Sequence, residues 1–213
     1  MGFEERLVLA SNNHKKLNEL QALLAPAGVE LVAQAALGVS ETDEPFHSFI
    51  ENALKKARHA AKHVHGAAIA DDSGLCVDAL GGAPGVYSAH FAEIETRETD
   101  REGHRAAQDA ANNSLLLERL HGVTDRRARF ISTLVAVRSA DDPEPLVAVG
   151  RWFGEILQMP VGTGGFGYDP LMFIPSLGRA VAELDVEVKN VHSHRALAAG
   201  QMLTLMREAW HLG

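Results

Sequence analysis

The sequence has a single cysteine, Cys76, among its 213 residues, so no disulfide can form within the chain. A lone thiol is typical of proteins from reducing compartments. Long apolar runs are also missing, because Leu134–Val137 and Leu146–Val149 are far shorter than the ~20 residues of a membrane span. Acidic residues stand near the N-terminus, where a signal peptide carries basic ones. We therefore expect a soluble, cytoplasmic protein that does not associate with membranes.

Basic residues are outnumbered, with 20 Lys and Arg against 28 Asp and Glu and a net charge of −8. A protein that binds long nucleic acids needs a basic surface, so this balance argues against a nucleic acid polymer as partner. A small anionic ligand remains compatible, since a few local lysines are enough to bind it. Neither a P-loop nor a nucleophile elbow occurs in the sequence, so a nucleotide site must be built from other elements.

The composition and periodicity favour one globular α/β domain over residues 1–213. Hydrophobic residues make up 46% and charged residues 23% of the chain, which is ordinary for a globular protein. The patterns predict a mixed sheet with helices. The predicted strands cover residues 6–10, 29–33, 67–70, 128–138 and 146–156, and the predicted helices cover residues 15–25, 46–65 and 193–212. Phe46, Ile50 and Leu197 are among the residues expected on the buried faces of their helices.

A polar turn joins the first predicted strand to the first helix. It consists of Ser11, Asn12, Asn13, His14, Lys15 and Lys16. The N–H groups and dipole at a helix N-terminus favour an anion, and a lysine one turn into the helix, Lys16, can reach a phosphate oxygen. A purely structural alternative is N-capping by Ser11 or Asn13. The turn by itself does not decide between these interpretations.

Two adjacent carboxylates, Asp71 and Asp72, follow a short apolar strand and precede Ser73 and Gly74. Carboxylates at a strand end suit a hard cation such as Mg²⁺, and one of them can accept a proton from water. The alternative is an Asx-type turn in which Gly74 supplies a positive φ. The position directly after a buried strand favours a functional site.

A glycine-rich stretch, residues 162–170, matches the spacing G-x-G-x-x-G of dinucleotide-binding loops. The context differs, because Pro170 and the apolar Leu171–Ile174 predict a turn into a strand, whereas a dinucleotide loop opens a helix. We therefore reject the dinucleotide interpretation. The loop carries an aromatic ring and a carboxylate, which suits contact with a planar ligand.

A last polar cluster surrounds the start of the C-terminal helix. Ser193 is a plausible N-cap, which places His194 and Arg195 in the first turn, where they can donate to a carbonyl group of a ligand. The spacing of His192 and His194 also suggests a transition-metal pair. No cysteine or third histidine accompanies them, which argues against such a site.

Seven motifs in register resemble one family, the purine nucleoside triphosphate pyrophosphatases that act on inosine and xanthine nucleotides. The resemblance runs from about residue 7 to residue 210. The motifs are Ser11-x-Asn13-x-x-Lys16, Phe49-Ile-Glu-Asn-Ala53 with Lys56, Ala70 to Gly74, Gly81 to Ala89, Gly162 to Pro170, Ala182-Glu183-Leu184, and Lys189 with Ser193-His194-Arg195.

This resemblance implies an elongated α/β protein with a long curved mixed sheet and two lobes flanking a nucleotide cleft, usually as a homodimer. It implies hydrolysis of ITP, dITP or XTP to the monophosphate and pyrophosphate with Mg²⁺. By the same resemblance, Asp72 is the catalytic proton acceptor and binds the metal together with Glu44. The implied substrate-binding residues are Ser11, Asn12, Asn13, His14, Lys15, Lys16, Lys56, Ser73, Phe166, Gly167, Tyr168, Asp169, Lys189, His194 and Arg195.

The chemistry of the purine base agrees with this interpretation. His194 and Arg195 can donate hydrogen bonds to a 6-keto oxygen. The 6-amino group of adenine is itself a donor, so it could not accept these bonds. Two alternatives stay open at this point: a Maf-type nucleotide pyrophosphatase, which also opens with a strand, a polar turn and a helix, and a catalytically silent nucleotide sensor.

Overall fold

A computed structural model describes residues 6–95 and 100–212 of the chain. The chain divides into two compact units. Unit 1 contains residues 1–73, 132–151 and 190–213, and unit 2 contains residues 74–131 and 152–189. A single domain over residues 1–213 stays a prediction.

Within the described residues, seven strands form one sheet in the order β2-β1-β3-β4-β5-β6-β7. Strand β1 runs parallel to both β2 and β3, whereas β6 runs antiparallel to β5 and β7. The sheet is therefore mixed and open, and the predicted α/β class is confirmed. The strands are β1 (Arg6–Leu9), β2 (Glu30–Ala33), β3 (Ala68–Val77), β4 (Arg127–Val137), β5 (Leu146–Ile156), β6 (Met172–Ile174) and β7 (Arg179–Ala180).

The helices that the structure describes are α1 (His14–Leu24), α2 (Phe49–Val64), α3 (Arg101–Arg119), α4 (Val186–His192) and α5 (His194–Trp210). Helix α2 begins three residues later than predicted, because the Ser48 hydroxyl caps it by accepting the N–H of Glu51. Phe46 therefore precedes the helix and is 39% exposed, while Ile50 on α2 and Leu197 on α5 are 47% and 43% exposed. The prediction that these three side chains are buried was wrong. None of the helices within residues 6–95 and 100–212 combines the length and apolar character that a membrane crossing requires.

In unit 1, the sheet separates two apolar layers. Alternate strand residues point to opposite faces, so Leu7, Leu9 and Ile69 pack with the apolar sides of α1 and α5. Their neighbours Val8, Ala10, Ala68 and Ala70 pack instead with the alanines of α2. Helices α1 and α5 thus lie on one face of this part of the sheet, and α2 lies on the other.

In unit 2, Leu116 of α3 and Leu120, which directly follows the helix, pack in a core that includes Trp152 and Tyr168. The guanidinium of Arg126 donates to three main-chain carbonyls, at 2.6 Å to Ile156, 3.0 Å to Leu120 and 2.7 Å to Leu157. This side chain therefore ties the end of α3 to the end of β5.

Strand β3 is longer than predicted. Asp71 to Gly74 lie inside it as extended residues, since the strand continues to Val77. The interpretation of these residues as an Asx-type turn after the strand was therefore wrong. The apolar residues Leu75 to Val77 resume the strand after the polar stretch and pack in the core of unit 2, which explains why the backbone stays extended.

Candidate active site

The polar turn before α1 is an N-cap built around Asn13. The side chain of Asn13 accepts the N–H groups of Lys15 at 3.1 Å and Lys16 at 3.3 Å, and the Ser11 hydroxyl accepts the N–H of Asn13. His14 and Lys15 are exposed. Among the described residues, the Asn12 side-chain oxygen is buried without a hydrogen-bond partner. The capping interpretation is confirmed for Asn13, and the same turn also places Lys16 at the start of the helix.

On the face of the sheet covered by α1 and α5, Asp71 is the centre of a charged cluster. Its fully buried carboxylate lies 3.0 Å from the Lys16 ammonium and 3.3 Å from Nε of Arg195. The hydroxyls of Ser132 and Ser73 donate to it at 2.7 and 3.0 Å. Burial alone would raise the pKa of Asp71, but Lys16, Arg195 and Ser132 together hold it far below its usual range. Asp71 therefore stays ionised.

On the face covered by α2, Asp72 belongs to a second cluster. The Lys56 ammonium lies 3.2 Å from Oδ1 of Asp72 and 2.6 Å from Glu44, and it also donates to the main-chain carbonyl of Asp71. Burial raises the pKa of Asp72, and Lys56 only partly opposes this effect. For Lys56, burial alone would lower the pKa, but Asp72 and Glu44 raise it overall.

The second oxygen of Asp72, Oδ2, is buried and lacks a hydrogen-bond partner among the residues that the structure describes. An unpartnered carboxylate oxygen in a buried site is a ready ligand or proton acceptor. Glu44, whose side chain is 41% exposed, is a second carboxylate that forms an ion pair with Lys56. These oxygen donors fit Mg²⁺, which proteins commonly bind through one or two carboxylates while substrate phosphates supply further ligands. Within the described ranges, no group of three or more His, Cys, Asp or Glu side chains could hold a metal.

His194 and Arg195 lie in the first turn of α5, as predicted, and the Ser193 hydroxyl caps the helix by accepting the N–H of Ala196. Both side chains are buried. Beyond its contact with Asp71, Arg195 donates to Glu19 on α1 at 2.8 Å and to the Ser73 hydroxyl at 2.8 Å. Within unit 1, the guanidinium therefore organises the carboxylate cluster, and contact with a purine base stays a prediction.

In unit 2, the glycine-rich loop is folded around Asp169. Its Oδ2 accepts the N–H of Phe166 at 3.1 Å and pairs with the Lys189 ammonium at 2.8 Å, and this ammonium lies 5.0 Å from the centre of the Phe166 ring. Gly165 has φ +74°, and a Cβ there would collide with the Asp169 carboxylate, so only glycine fits. Phe166, Asp169 and Lys189 are therefore brought together, and their contact with a nucleotide stays a prediction.

Tyr168 differs from its neighbours in this loop. Its ring is buried, and its hydroxyl donates to the main-chain carbonyl of Ser88 at 2.8 Å. Burial raises the pKa of the phenol, and the nearby Asp109 raises it further. Tyr168 therefore anchors the loop in the core of unit 2, while Phe166 is partly exposed.

Four residues that contact the predicted site residues were not among those predicted from the sequence. Glu19 and Ser132 contact the Asp71 cluster directly or through Arg195, and Asp109 and Asn113 contact Gly167. Glu19 follows Lys16 by about one turn of α1, so its position close to the polar turn is a local signal. Ser132 is 61 residues from Asp71 and has no local signal.

Comparison with known proteins shows the family to which this chain belongs. The model of the Ham1 family matches residues 7–205. The chain belongs to the Ham1 family, and this match is the reason to prefer it over a Maf-type pyrophosphatase. The resemblance found in the motifs is thereby confirmed.

Named relatives and a solved structure agree over nearly the whole length. The chain is 67% identical over 210 residues to the dITP/XTP pyrophosphatase of Leptothrix cholodnii, covering 97% of this chain and 99% of the relative. It is 66% identical over 205 residues to that of Methylibium petroleiphilum, covering 96% and 99%. The structure of a HAM1 protein from Coxiella burnetii superposes with a TM-score of 0.84 at 40% identity, covering 96% of this chain and 99% of that chain.

Proposed function

We propose that this protein hydrolyses dITP, XTP and ITP to the nucleoside monophosphate and pyrophosphate, removing these nucleotides from the cellular pool. The named relatives are dITP/XTP pyrophosphatases at up to 67% identity, which supports the substrate class. The bond broken is the phosphoanhydride between the α and β phosphates: water adds to the α phosphorus, and pyrophosphate leaves. We place this activity in the cytoplasm and expect the protein to be a homodimer.

The observation that carries the proposal is the state of Asp72. Its Oδ1 is held by Lys56, and its Oδ2 has no hydrogen-bond partner among the described residues. Because burial raises the pKa of this carboxylate, it is a stronger base than an ordinary aspartate. A carboxylate that is fixed at one oxygen and open at the other suits acceptance of a proton from the attacking water at Oδ2.

The phosphates require positive charge and N–H donors. We assign them to the turn from Ser11 to Lys16 and to Lys56, because the first turn of α1 presents the positive end of the helix dipole. Lys16 has a lowered pKa, since burial disfavours its ammonium, while Asp71 favours it. A substrate phosphate near Lys16 would add negative charge and stabilise the charged form.

Mg²⁺ would be held by Glu44 and Asp72, and when bound it would neutralise charge on the phosphates and on the departing pyrophosphate. The Lys56 ammonium already forms ion pairs with the carboxylates of Glu44 and Asp72, so it keeps these two side chains in place. We assign contact with the nucleoside to Ser73, Phe166, Gly167, Tyr168, Asp169 and Lys189, and contact with the 6-keto group to His194 and Arg195.

The test is pyrophosphate release from dITP, XTP, ITP and dATP, measured with the wild type, with Asp72→Asn and with the control Asp141→Asn. Asp141 is an exposed aspartate in the turn before β5, so its variant should behave as wild type. Asp72→Asn keeps the shape but loses the base, and kcat should fall by more than about tenfold, or about 1.4 kcal/mol of barrier. Retention of more than a tenth of wild-type kcat would refute the role of Asp72. Nucleotide binding without pyrophosphate release by the wild type would indicate the silent sensor.

A further inference from the structure

The two main-chain groups of Gly167 are both held by helix α3. The Gly167 N–H donates to Oδ2 of Asp109 at 2.8 Å, and the Gly167 carbonyl accepts from the side-chain amide of Asn113 at 3.0 Å. Asp109 and Asn113 are four residues apart in α3, so they lie on the same side of the helix. One turn of α3 thus forms hydrogen bonds with both main-chain polar groups of a single loop residue.

Gly167 has no side chain through which the loop could be held at this position. It has φ +62°, and a Cβ at this position would meet no atom within 4 Å. The glycine is therefore required by its backbone conformation and not by a lack of space. Lacking a side chain, it can be fixed only through its N–H and its carbonyl.

The residues on either side of Gly167 are held by other contacts. Tyr168 is anchored through its hydroxyl to Ser88, and the Phe166 N–H is bound by Asp169. Between these anchors, rotation of the Gly167 peptide groups would change the direction of the Phe166 ring. The two bonds from α3 remove that freedom.

The support from α3 is itself rigid. Asn112, the neighbour of Asn113, is buried and donates to the carbonyls of Ser88 and Ala89, and it accepts the N–H of Ala92. Gln108, next to Asp109, is also buried and donates to the carbonyl of Ala92. Helix α3 is therefore fixed to the chain around Ser88, the same segment that anchors Tyr168.

From these contacts we propose that Asp109 and Asn113 are positioning residues, which fix the Gly167 peptide and thereby set the Phe166 ring for contact with the purine. This proposal deepens the proposed function and rests on it. Neither residue is required to touch the substrate. Their contribution is the preorganisation of the loop, so their loss should weaken substrate binding more than the chemical step.

The experiment compares KM and kcat for dITP in Asp109→Ala, Asn113→Ala and Asp109→Asn. A matched control is Ser114→Ala, an exposed polar residue on the same helix. The alanine variants should raise KM by about tenfold, the equivalent of about 1.4 kcal/mol, and leave kcat within twofold of wild type. Asp109→Asn keeps an oxygen that can accept the Gly167 N–H, so it should restore KM to within about threefold of wild type.

A direct readout separates positioning from simple destabilisation. Hydrogen exchange at the Gly167 amide should be faster in Asp109→Ala, and remain slow in Asp109→Asn and Ser114→Ala, at a temperature where all variants are folded. The proposal would be overturned if both alanine variants kept the wild-type KM and the wild-type hydrogen exchange at the Gly167 amide. It would also be overturned if Asp109→Ala and Asp109→Asn lost kcat equally. If the wild type released no pyrophosphate from dITP, the proposed function would fail, whereas the exchange measurement would still test the contact with Gly167.

Discussion

Removing the Arg195 side chain tests how the Asp71 cluster is held together. The guanidinium is 4% exposed and Asp71 is fully buried, at 3.3 Å from each other. Loss of one partner of a buried ion pair costs about 3–5 kcal/mol. Lys16, Ser73 and Ser132 still contact Asp71 in Arg195→Ala, so we expect the lower end, about 3 kcal/mol.

The melting temperature reports this loss. For a chain of this size, 1 kcal/mol shifts the midpoint by about 2–4 °C, so Arg195→Ala should melt about 6–12 °C below wild type. Arg207→Ala is the matched control, because Arg207 is an exposed arginine near the end of the same helix. Its effect should stay within about 0.5 kcal/mol. A midpoint for Arg195→Ala within 2 °C of the control would refute the reasoning.

The pH dependence gives a second check on the same variant. The folded pKa of Asp71 is lowered, so its stabilising contribution is present above its unfolded pKa, near pH 4, and is lost as the pH falls through the lower folded value. Without Arg195 the folded pKa of Asp71 rises, so the variant loses an ionised carboxylate at a higher pH than wild type. The destabilisation by Arg195→Ala should therefore be largest at neutral pH and shrink under acid conditions.

Two further variants test packing and main-chain contacts. A Cβ in Gly150→Ala would collide with the carbonyl of His194 and the N–H of Ala198. Urea denaturation should therefore show a free energy of unfolding that is about 1–3 kcal/mol lower than that of wild type. A stability equal to wild type would show that α5 shifts without cost. Arg126→Met leaves three main-chain carbonyls without their donor and should lower the free energy of unfolding by about 1–3 kcal/mol. Its control, Arg127→Met, breaks an exposed ion pair with Asp125 and should cost less than about 1 kcal/mol.

Local sequence signals predicted most of the elements, because caps and apolar periodicity act within a few residues. Asn13 and Ser193 were both recognised as candidate caps, and the bounds of β5 match the prediction. Strand β3 was cut short because Asp71 to Gly74 resemble a turn when only their neighbours are considered. The strand continues because Asp71 and Asp72 are buried with ion-pair partners that no local pattern reveals, and because Leu75 and Val77 pack in a core beyond them.

The candidate site was predicted unevenly for the same physical reason. The motifs named Asp72, Lys16 and Lys56, because each stands in a recognisable run of neighbouring residues, and their roles stay predictions. Ser132 and Asp109 were missed, because their importance comes only from contacts with residues 61 and 58 positions away. Such contacts depend on how strands and helices pack, which a single sequence does not contain.

The alternation of side chains along β3 gives two neighbouring aspartates separate electrostatic surroundings. Asp71 faces α1 and α5 and is locked in its charged state, while Asp72 faces α2 and has a raised pKa. The two carboxylates still interact electrostatically, since the charge of Asp71 contributes to the raised pKa of Asp72, but each has its own direct ion-pair partners. Although both are aspartates, Asp71 serves as a permanently charged counter-ion, whereas Asp72 is a group able to exchange a proton. An experimenter who replaces both at once would lose this distinction, whereas Asp71→Asn and Asp72→Asn made separately would reveal it as a loss of stability in the first and of turnover in the second.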